Sequence, residues 1–118
     1  MTKMGYEFND PNVPMIFQPP VRAQWGAFHA GELQYLFSAP TRAGSTPAAF
    51  SADQQRLAAE MVGFWAQFAH TGTPNATGSS SWPQYASLSG TVLSLEPAAS
   101  RASTDFGARH RCAFWTGS

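Results

Sequence analysis

The feature that most restricts how this chain can fold is one well-delimited amphipathic helix in its middle. Ser51 stands three residues before Gln54, the spacing of a capping box, in which each side chain satisfies a free backbone N–H at the helix start. Thr71 and Gly72, with Pro74 behind them, are predicted to end the helix. One face carries the apolar residues Leu57, Met61, Phe64, Trp65 and Phe68. We expect this face to be core rather than a ligand-binding surface.

The first third of the chain predicts one strand and one short helix. Residues 4–8 form a strand candidate that ends at the turn-favouring residues 9–12. Apolar side chains recur at roughly helical spacing over residues 28–37, which predicts a short helix entered near His29. A helix that starts there puts Glu32 on the same helical face as His29, within one turn.

The last third of the chain is less well defined. Residues 91–95 are a weak second strand candidate, and residues 104–115 are predicted to form at least one more helical turn. The Asn-x-Thr sequence at residues 75–77 is interpreted as a turn rather than as a glycosylation site. No internal repeat and no second domain are visible, so we treat residues 1–118 as a single segment.

The composition is unusual for a small domain that stands free in solution. Only 12% of the residues are charged, about half of the usual share of roughly 25%, whereas 14% are aromatic. The formal net charge is zero, so neither nucleic acid nor a membrane surface is an expected partner. Low charge combined with many large rings suits a piece whose apolar faces are normally covered by something else.

The sequence does not indicate the cellular compartment of the protein. Cys112 is the only cysteine, so no internal disulfide can form. The first residues lack the apolar run of a signal peptide, and no stretch approaches the ~20 apolar residues of a membrane span. A parent protein could be cytoplasmic or secreted.

Several chemical motifs are absent from the 118 residues. There is no G-x-S-x-G nucleophile elbow, no glycine-rich oxyanion loop, no P-loop, no G-x-G-x-x-G and no H-E-x-x-H. The histidines His29, His70 and His110 lie far apart along the chain. We therefore expect no metal site.

Residues 25–37 carry the most informative pattern. They read Trp-Gly-Ala-Phe-His-Ala-Gly-Glu-Leu-Gln-Tyr-Leu-Phe and resemble the histidine segment of the type B carboxylesterases, the group that includes the cholinesterases, with its pattern G-x-x-H-[AG]-x-E. Further similar motifs flank it in the family's order: Tyr6-Glu7-Phe8, Phe64 to Asn75, Trp82-Pro83-x-Tyr85, Leu93-x-Leu95 and Arg111-Cys112-x-Phe114-Trp115. The resemblance covers roughly residues 5–116, and the order of the motifs makes it much stronger than any one of them.

The resemblance implies an α/β fold, namely the C-terminal part of an α/β-hydrolase, with short strands plus helices and a sheet that is incomplete in this chain. The triad order in that fold is Ser, then Asp or Glu, then His, so this segment would carry the last member alone. The implied reaction is hydrolysis of a carboxylic ester through a serine acyl-enzyme, without metal or organic cofactor. The implied partners are the ester substrate and the missing N-terminal part of the hydrolase. The isolated chain is expected to be inactive.

The resemblance also assigns roles to four residues, each with a plainer alternative. His29 would be the triad base, or else a loop histidine at a helix start. Glu32 would be a partly buried carboxylate that braces the triad, or else a solvated glutamate at the helix start. Trp25 and Phe28 would line the acyl or alcohol pocket, or else pack in the core.

A rival interpretation is a non-catalytic, truncated remnant that binds partners through its uncovered apolar surface. The coding sequence upstream of Met1 would separate the two interpretations. For the hydrolase segment expressed alone we expect self-association, because residues 4–8 would belong to a sheet whose other strands are missing.

Overall fold

The computed structural model describes residues 2–14, 25–37, 50–78, 80–86 and 90–117. Those residues form seven elements in the order β1 (Tyr6–Phe8), α1 (Leu33–Leu36), α2 (Ala52–Thr71), β2 (Val92–Leu95), β3 (Arg101–Ser103), α3 (Phe106–Arg109) and α4 (Cys112–Thr116). Strands and helices occur together in this segment, as expected for part of an α/β fold. Within these ranges no helix combines the length and the apolar character that crossing a membrane requires.

The three strands form one small mixed sheet in the order β1-β2-β3. β1 runs parallel to β2, with Tyr6 opposite Leu93, and β2 runs antiparallel to β3, with Val92 opposite Ser103. Both strands predicted from the sequence are confirmed. β3 is additional; it carries only a weak strand pattern, since two of its three residues are exposed.

β1 lies at the edge of this described sheet. The Leu93 N–H donates to the Gly5 carbonyl and the Asn9 N–H donates to the Leu95 carbonyl, both at 2.9 Å. Backbone groups alternate in direction along a strand, so those of Tyr6 point away from β2. The expectation that residues 4–8 lack a pairing partner is therefore wrong for the side that faces β2, where the pairing is local to this chain.

The long helix α2 has the predicted boundaries. The Gln54 N–H donates to the Ser51 hydroxyl oxygen at 3.2 Å, and the Ser51 N–H donates to the Gln54 amide oxygen at 2.9 Å, which completes the capping box. Gly72 ends the helix in the left-handed region with φ of 78°. His70 lies in the last turn, near the negative end of the helix dipole.

The apolar face of α2 supplies the centre of the core, though not along its whole length. Leu57, Met61 and Phe64 are buried, whereas Trp65 is half-buried and Phe68 is 52% exposed. The prediction that the full face is core is wrong for Phe68, because this residue borders an open cavity instead of a packed neighbour. The buried apolar cluster consists of Tyr35, Leu57, Met61, Phe64, Trp82, Leu93 and Leu95.

Candidate functional site

The segment that carries His29 is a series of tight turns. The Gly31 N–H donates to the Phe28 carbonyl at 2.9 Å, and the Leu33 N–H donates to the Ala30 carbonyl at 3.2 Å. Ala30 has φ of 68°, a left-handed conformation that a right-handed helix cannot contain. The prediction of a helix entered near His29 is therefore wrong, and α1 begins only at Leu33.

His29 occupies the turn that the Phe28–Gly31 hydrogen bond closes, and its residue is exposed. Among the described residues, none forms a hydrogen bond or an ion pair with its side chain. The ring nitrogens are thus accessible from outside these segments. An imidazole without such a partner can act as a general acid or base towards a group from another segment.

Glu32 is half-buried and immediately precedes α1, but its side chain does not cap that helix. Burial and, second, the Glu32 carboxylate raise the pKa of Tyr6, so this carboxylate acts electrostatically on β1. The left-handed Ala30 breaks the helical path between His29 and Glu32. The expectation that these two residues share one helical face is wrong for that reason.

Trp25 is 53% exposed, and Phe28 is partly buried. Two surface cavities are prominent in the described part of the chain. One, of about 200 Å³, is lined by Met4, Tyr6, Phe64, Trp65, Phe68, Pro74 and Trp82. The other, of about 680 Å³, lies between α2 and the loop residues Pro74, Ala76, Thr77, Gly78, Ser80, Ala99 and Ser100. Trp25 and Phe28 line neither, so their place in a substrate pocket stays a prediction.

The histidine turn is anchored to the chain that leaves the carboxyl end of β1. Gly31 is buried, and a Cβ on it would lie 3.0 Å from the Phe28 carbonyl oxygen and 3.2 Å from Cγ1 of Val13. The Gln34 amide nitrogen donates to the Pro14 carbonyl at 2.9 Å and to the Gly31 carbonyl at 3.2 Å. A larger residue at position 31 would push these neighbours apart by a few tenths of an ångström, so glycine suits this close approach.

A buried polar cluster beside this segment was not anticipated from the sequence. The Asp10 side chain is 1% exposed and accepts hydrogen bonds from the Tyr35 hydroxyl, from Nε2 of Gln54 at 2.8 Å and from the Asn12 N–H at 2.8 Å. The sequence indicates only a turn at residues 9–12 and only a capping role for Gln54. The one local signal is the Asp-x-Asn spacing, which is typical of a turn closed by an Asp side chain.

The described segments hold no group of three or more His, Cys, Asp or Glu side chains that could bind a metal ion. The residues at the site are an exposed imidazole, a half-buried carboxylate and aromatic neighbours. Such groups can transfer protons and hold an apolar group.

Comparison with known proteins identifies the relatives of the chain. Residues 4–115 match the carboxylesterase family. The chain is 31% identical to human cocaine esterase over 112 residues, which are 93% of this chain and 18% of that protein. It is 37% identical to bovine bile salt-activated lipase over 79 residues, 66% of this chain and 12% of that protein. The chain therefore spans less than a fifth of the length of these relatives.

Solved structures agree with the sequence comparison. A carboxylesterase of Geobacillus stearothermophilus superimposes with a TM-score of 0.65 at 26% identity, over 95% of this chain and 22% of that enzyme. An esterase of Clostridium hathewayi superimposes with a TM-score of 0.67 at 17% identity, which is a likeness of fold. The architecture is that of the α/β-hydrolase esterases with a small, incomplete sheet. The chain belongs to the carboxylesterase family.

Proposed function

We propose that this chain supplies the histidine-bearing C-terminal part of a serine carboxylic-ester hydrolase, with His29 as the base of the catalytic triad. Membership of the carboxylesterase family over residues 4–115 supports the reaction class. The match of residues 25–37 to the family's histidine segment supports the choice of His29 over His70 and His110.

The observation that carries this proposal is an exposed histidine on a turn that the Phe28–Gly31 hydrogen bond closes. The His29 turn is anchored through Gly31 and Gln34 to Val13 and Pro14, the residues that follow the carboxyl end of β1. In open α/β sheets, active sites lie outside the carboxyl ends of the strands. A triad base must also present its ring to a serine from another segment, and the exposure of His29 permits this.

In the proposed mechanism, Nε2 of His29 removes the proton from a serine hydroxyl as that serine attacks the ester carbonyl. His29 then returns the proton to the leaving alkoxide. In the second half of the reaction, His29 takes a proton from the water that attacks the acyl-enzyme and gives it to the serine oxygen as the acid is released. The serine and the oxyanion donors come from another segment, since the 118 residues contain no G-x-S-x-G. Glu32 braces the site, and Trp25 and Phe28 border the acyl or alcohol group.

Complementation in trans tests the proposal. The chain is co-expressed with the upstream region of a carboxylesterase, which supplies the serine and the triad acid, and hydrolysis of a p-nitrophenyl ester is measured. We expect activity in the complex, and we expect His29→Ala to lower kcat by several orders of magnitude, as loss of a triad base does. His70→Ala is the matched control, because His70 is also exposed and lies in the last turn of α2.

Two further outcomes separate this proposal from its alternatives. An unchanged rate in the His29→Ala complex would remove His29 from the mechanism. The chain alone should hydrolyse the ester no faster than an equal concentration of imidazole and should resist a serine-directed fluorophosphonate probe; labelling would reveal a nucleophile of its own. A stable complex without any activity would favour the non-catalytic interaction module.

A further inference from the structure

Asp10 is the one carboxylate of the described residues that is almost completely withdrawn from solvent, with 1% of the residue exposed. It accepts hydrogen bonds from α1 through the Tyr35 hydroxyl, from α2 through Nε2 of Gln54, and from the Asn12 N–H. Burial of a carboxylate costs free energy unless hydrogen bonds compensate for the lost water. A cluster in which all partners are satisfied holds its segments in one arrangement.

The first route from Asp10 to the histidine turn runs through Tyr35. Its ring stacks on Phe50 with centroids 4.5 Å apart and meets the edge of Phe8 at 5.0 Å. Burial and the hydrogen bond to Asp10 raise the pKa of Tyr35, so its hydroxyl remains a donor. The Tyr35 N–H donates to the Glu32 carbonyl at 3.0 Å, which joins the buried ring to the end of the histidine turn.

The second route runs along the backbone from Asp10 to Pro14. The Asn12 N–H is held by Oδ1 of Asp10, and the Asn12 carbonyl accepts from Nε2 of Gln54 at 3.1 Å. This turn directs the chain to Val13 and Pro14, on which the histidine turn rests. Asp10 is therefore hydrogen-bonded both to the segment under the turn and to the helix that follows the turn.

We propose that Asp10 is a positioning residue that fixes the His29 turn through Tyr35 and Asn12. It acts on the backbone that carries the imidazole, without contact to the ring. The proposal rests on the proposed role of His29 in catalysis, but its structural half can be measured independently.

Hydrogen exchange of the full 118-residue chain, followed by mass spectrometry, measures how firmly the His29 turn is held. Tyr35→Phe removes one hydroxyl and retains the ring that packs on Phe50 and Phe8. Asp10→Asn keeps the shape but loses an acceptor. We expect either substitution to speed exchange over residues 26–36 roughly tenfold, the effect of losing one buried hydrogen bond. Exchange in β2 should not change, and Tyr85→Phe, at an exposed tyrosine, should match the wild type.

The double substitution tests whether Asp10 acts through Tyr35. If it does, Tyr35→Phe adds no further acceleration in the Asp10→Asn background. Equal acceleration in β2 and in residues 26–36 would overturn the proposal, because Asp10 would then stabilise the whole chain without any preference for the turn. Unchanged exchange over residues 26–36 would also overturn it.

The complemented esterase measures the catalytic half. A displaced base weakens proton transfer and leaves substrate binding intact, so Tyr35→Phe should lower kcat roughly tenfold at unchanged KM. A raised KM at unchanged kcat would contradict the positioning role. If the complex is inactive or insensitive to His29→Ala, the proposed function fails, whereas the exchange experiment still decides whether Asp10 fixes the turn.

Discussion

The Glu7 carboxylate in β1 forms an ion pair with the Arg109 guanidinium in α3, 102 residues further along the chain. Its second carboxylate oxygen lies 2.6 Å from Nε2 of His110. The Glu7 side chain is 13% exposed and the Arg109 side chain is 38% exposed, so solvent screens this partly buried pair less than it screens a fully exposed pair. The last part of the chain is thereby tied to the strand that precedes the histidine segment.

Glu7→Gln should lower the melting temperature, because it removes the charge that Arg109 faces and retains the side-chain shape. Asp53→Asn is the matched control, since the Asp53–Arg56 pair is 63% and 53% exposed and such pairs contribute little. Thermal unfolding followed by circular dichroism measures both. Equal shifts in the two variants would mean that the Glu7 pair is no stronger than a surface pair.

Asn75, the first residue of the Asn-x-Thr sequence, holds the backbone of Trp82 through two hydrogen bonds. Its Nδ2 donates to the Trp82 carbonyl at 2.9 Å, and its Oδ1 accepts from the Trp82 N–H at 2.7 Å. The Trp82 indole in turn donates to the Gly5 carbonyl at 2.9 Å. Asn75→Ala should therefore reduce the free energy of unfolding by about 1–3 kcal/mol, since two backbone groups lose their partner.

Urea unfolding measures the Asn75 effect. Thr77→Ala destroys the same Asn-x-Thr sequence at an exposed position and should change the free energy of unfolding by no more than about 0.5 kcal/mol. A comparable loss in both variants would show that the loop, rather than the Asn75–Trp82 pair, determines stability.

The burial of Tyr35 should make the free energy of unfolding fall in alkaline solution. Burial and the Asp10 hydrogen bond raise its pKa in the folded chain above the ordinary value of 10.0. The folded state then keeps a proton that the unfolded chain loses, so stability is complete below about pH 10 and falls as the pH rises above it.

Tyr35→Phe should flatten this fall, whereas Tyr85→Phe should retain it. Tyr6, whose pKa is also raised, contributes the same sign in every variant. Urea midpoints measured from neutral pH to about pH 11 give the comparison, and parallel curves for both variants would contradict it.

The elements that the sequence predicts well are those with local signals. The capping box and the closing glycine of α2 act within a few residues, so both ends of that helix were correct. The start of α1 was not, because apolar spacing over residues 28–37 says nothing of the left-handed Ala30 inside it. Spacing reports which face is buried, and it does not report the backbone dihedral angle of a single residue such as Ala30.

The candidate site divides in the same way. The sequence points to His29 because residues 25–37 resemble a family segment, and such a motif of consecutive residues is visible without a structure. The Asp10 cluster joins residues 25 and 44 positions apart, and no rule of local spacing predicts which carboxylate of a turn will be buried. Contacts of this range depend on how α1 and α2 pack, and they become visible only in three dimensions.

The isolated chain should associate at micromolar concentration. The backbone groups of β1 that point away from β2 have no neighbouring strand in the described sheet, and an exposed edge recruits other chains. Phe114 and Trp115 in α4 are 76% and 79% exposed, and Phe68 is 52% exposed. Burial of such surface contributes about 25 cal/mol per Å², while zero net charge gives little repulsion between copies.

Light scattering with a hydrophobic-dye assay distinguishes the sources of this association. Replacing both Phe114 and Trp115 by Ser should lower dye binding, because these rings are largely solvent-exposed. Ala113→Ser, at an exposed position of the same helix, alters polarity without removing a ring and should leave dye binding unchanged. Association that persists in the double variant would point to the β1 edge as its main cause. A sharp monomer peak, no dye binding and a cooperative melt of the wild-type chain would contradict the prediction, because these surfaces would then be satisfied within a single copy.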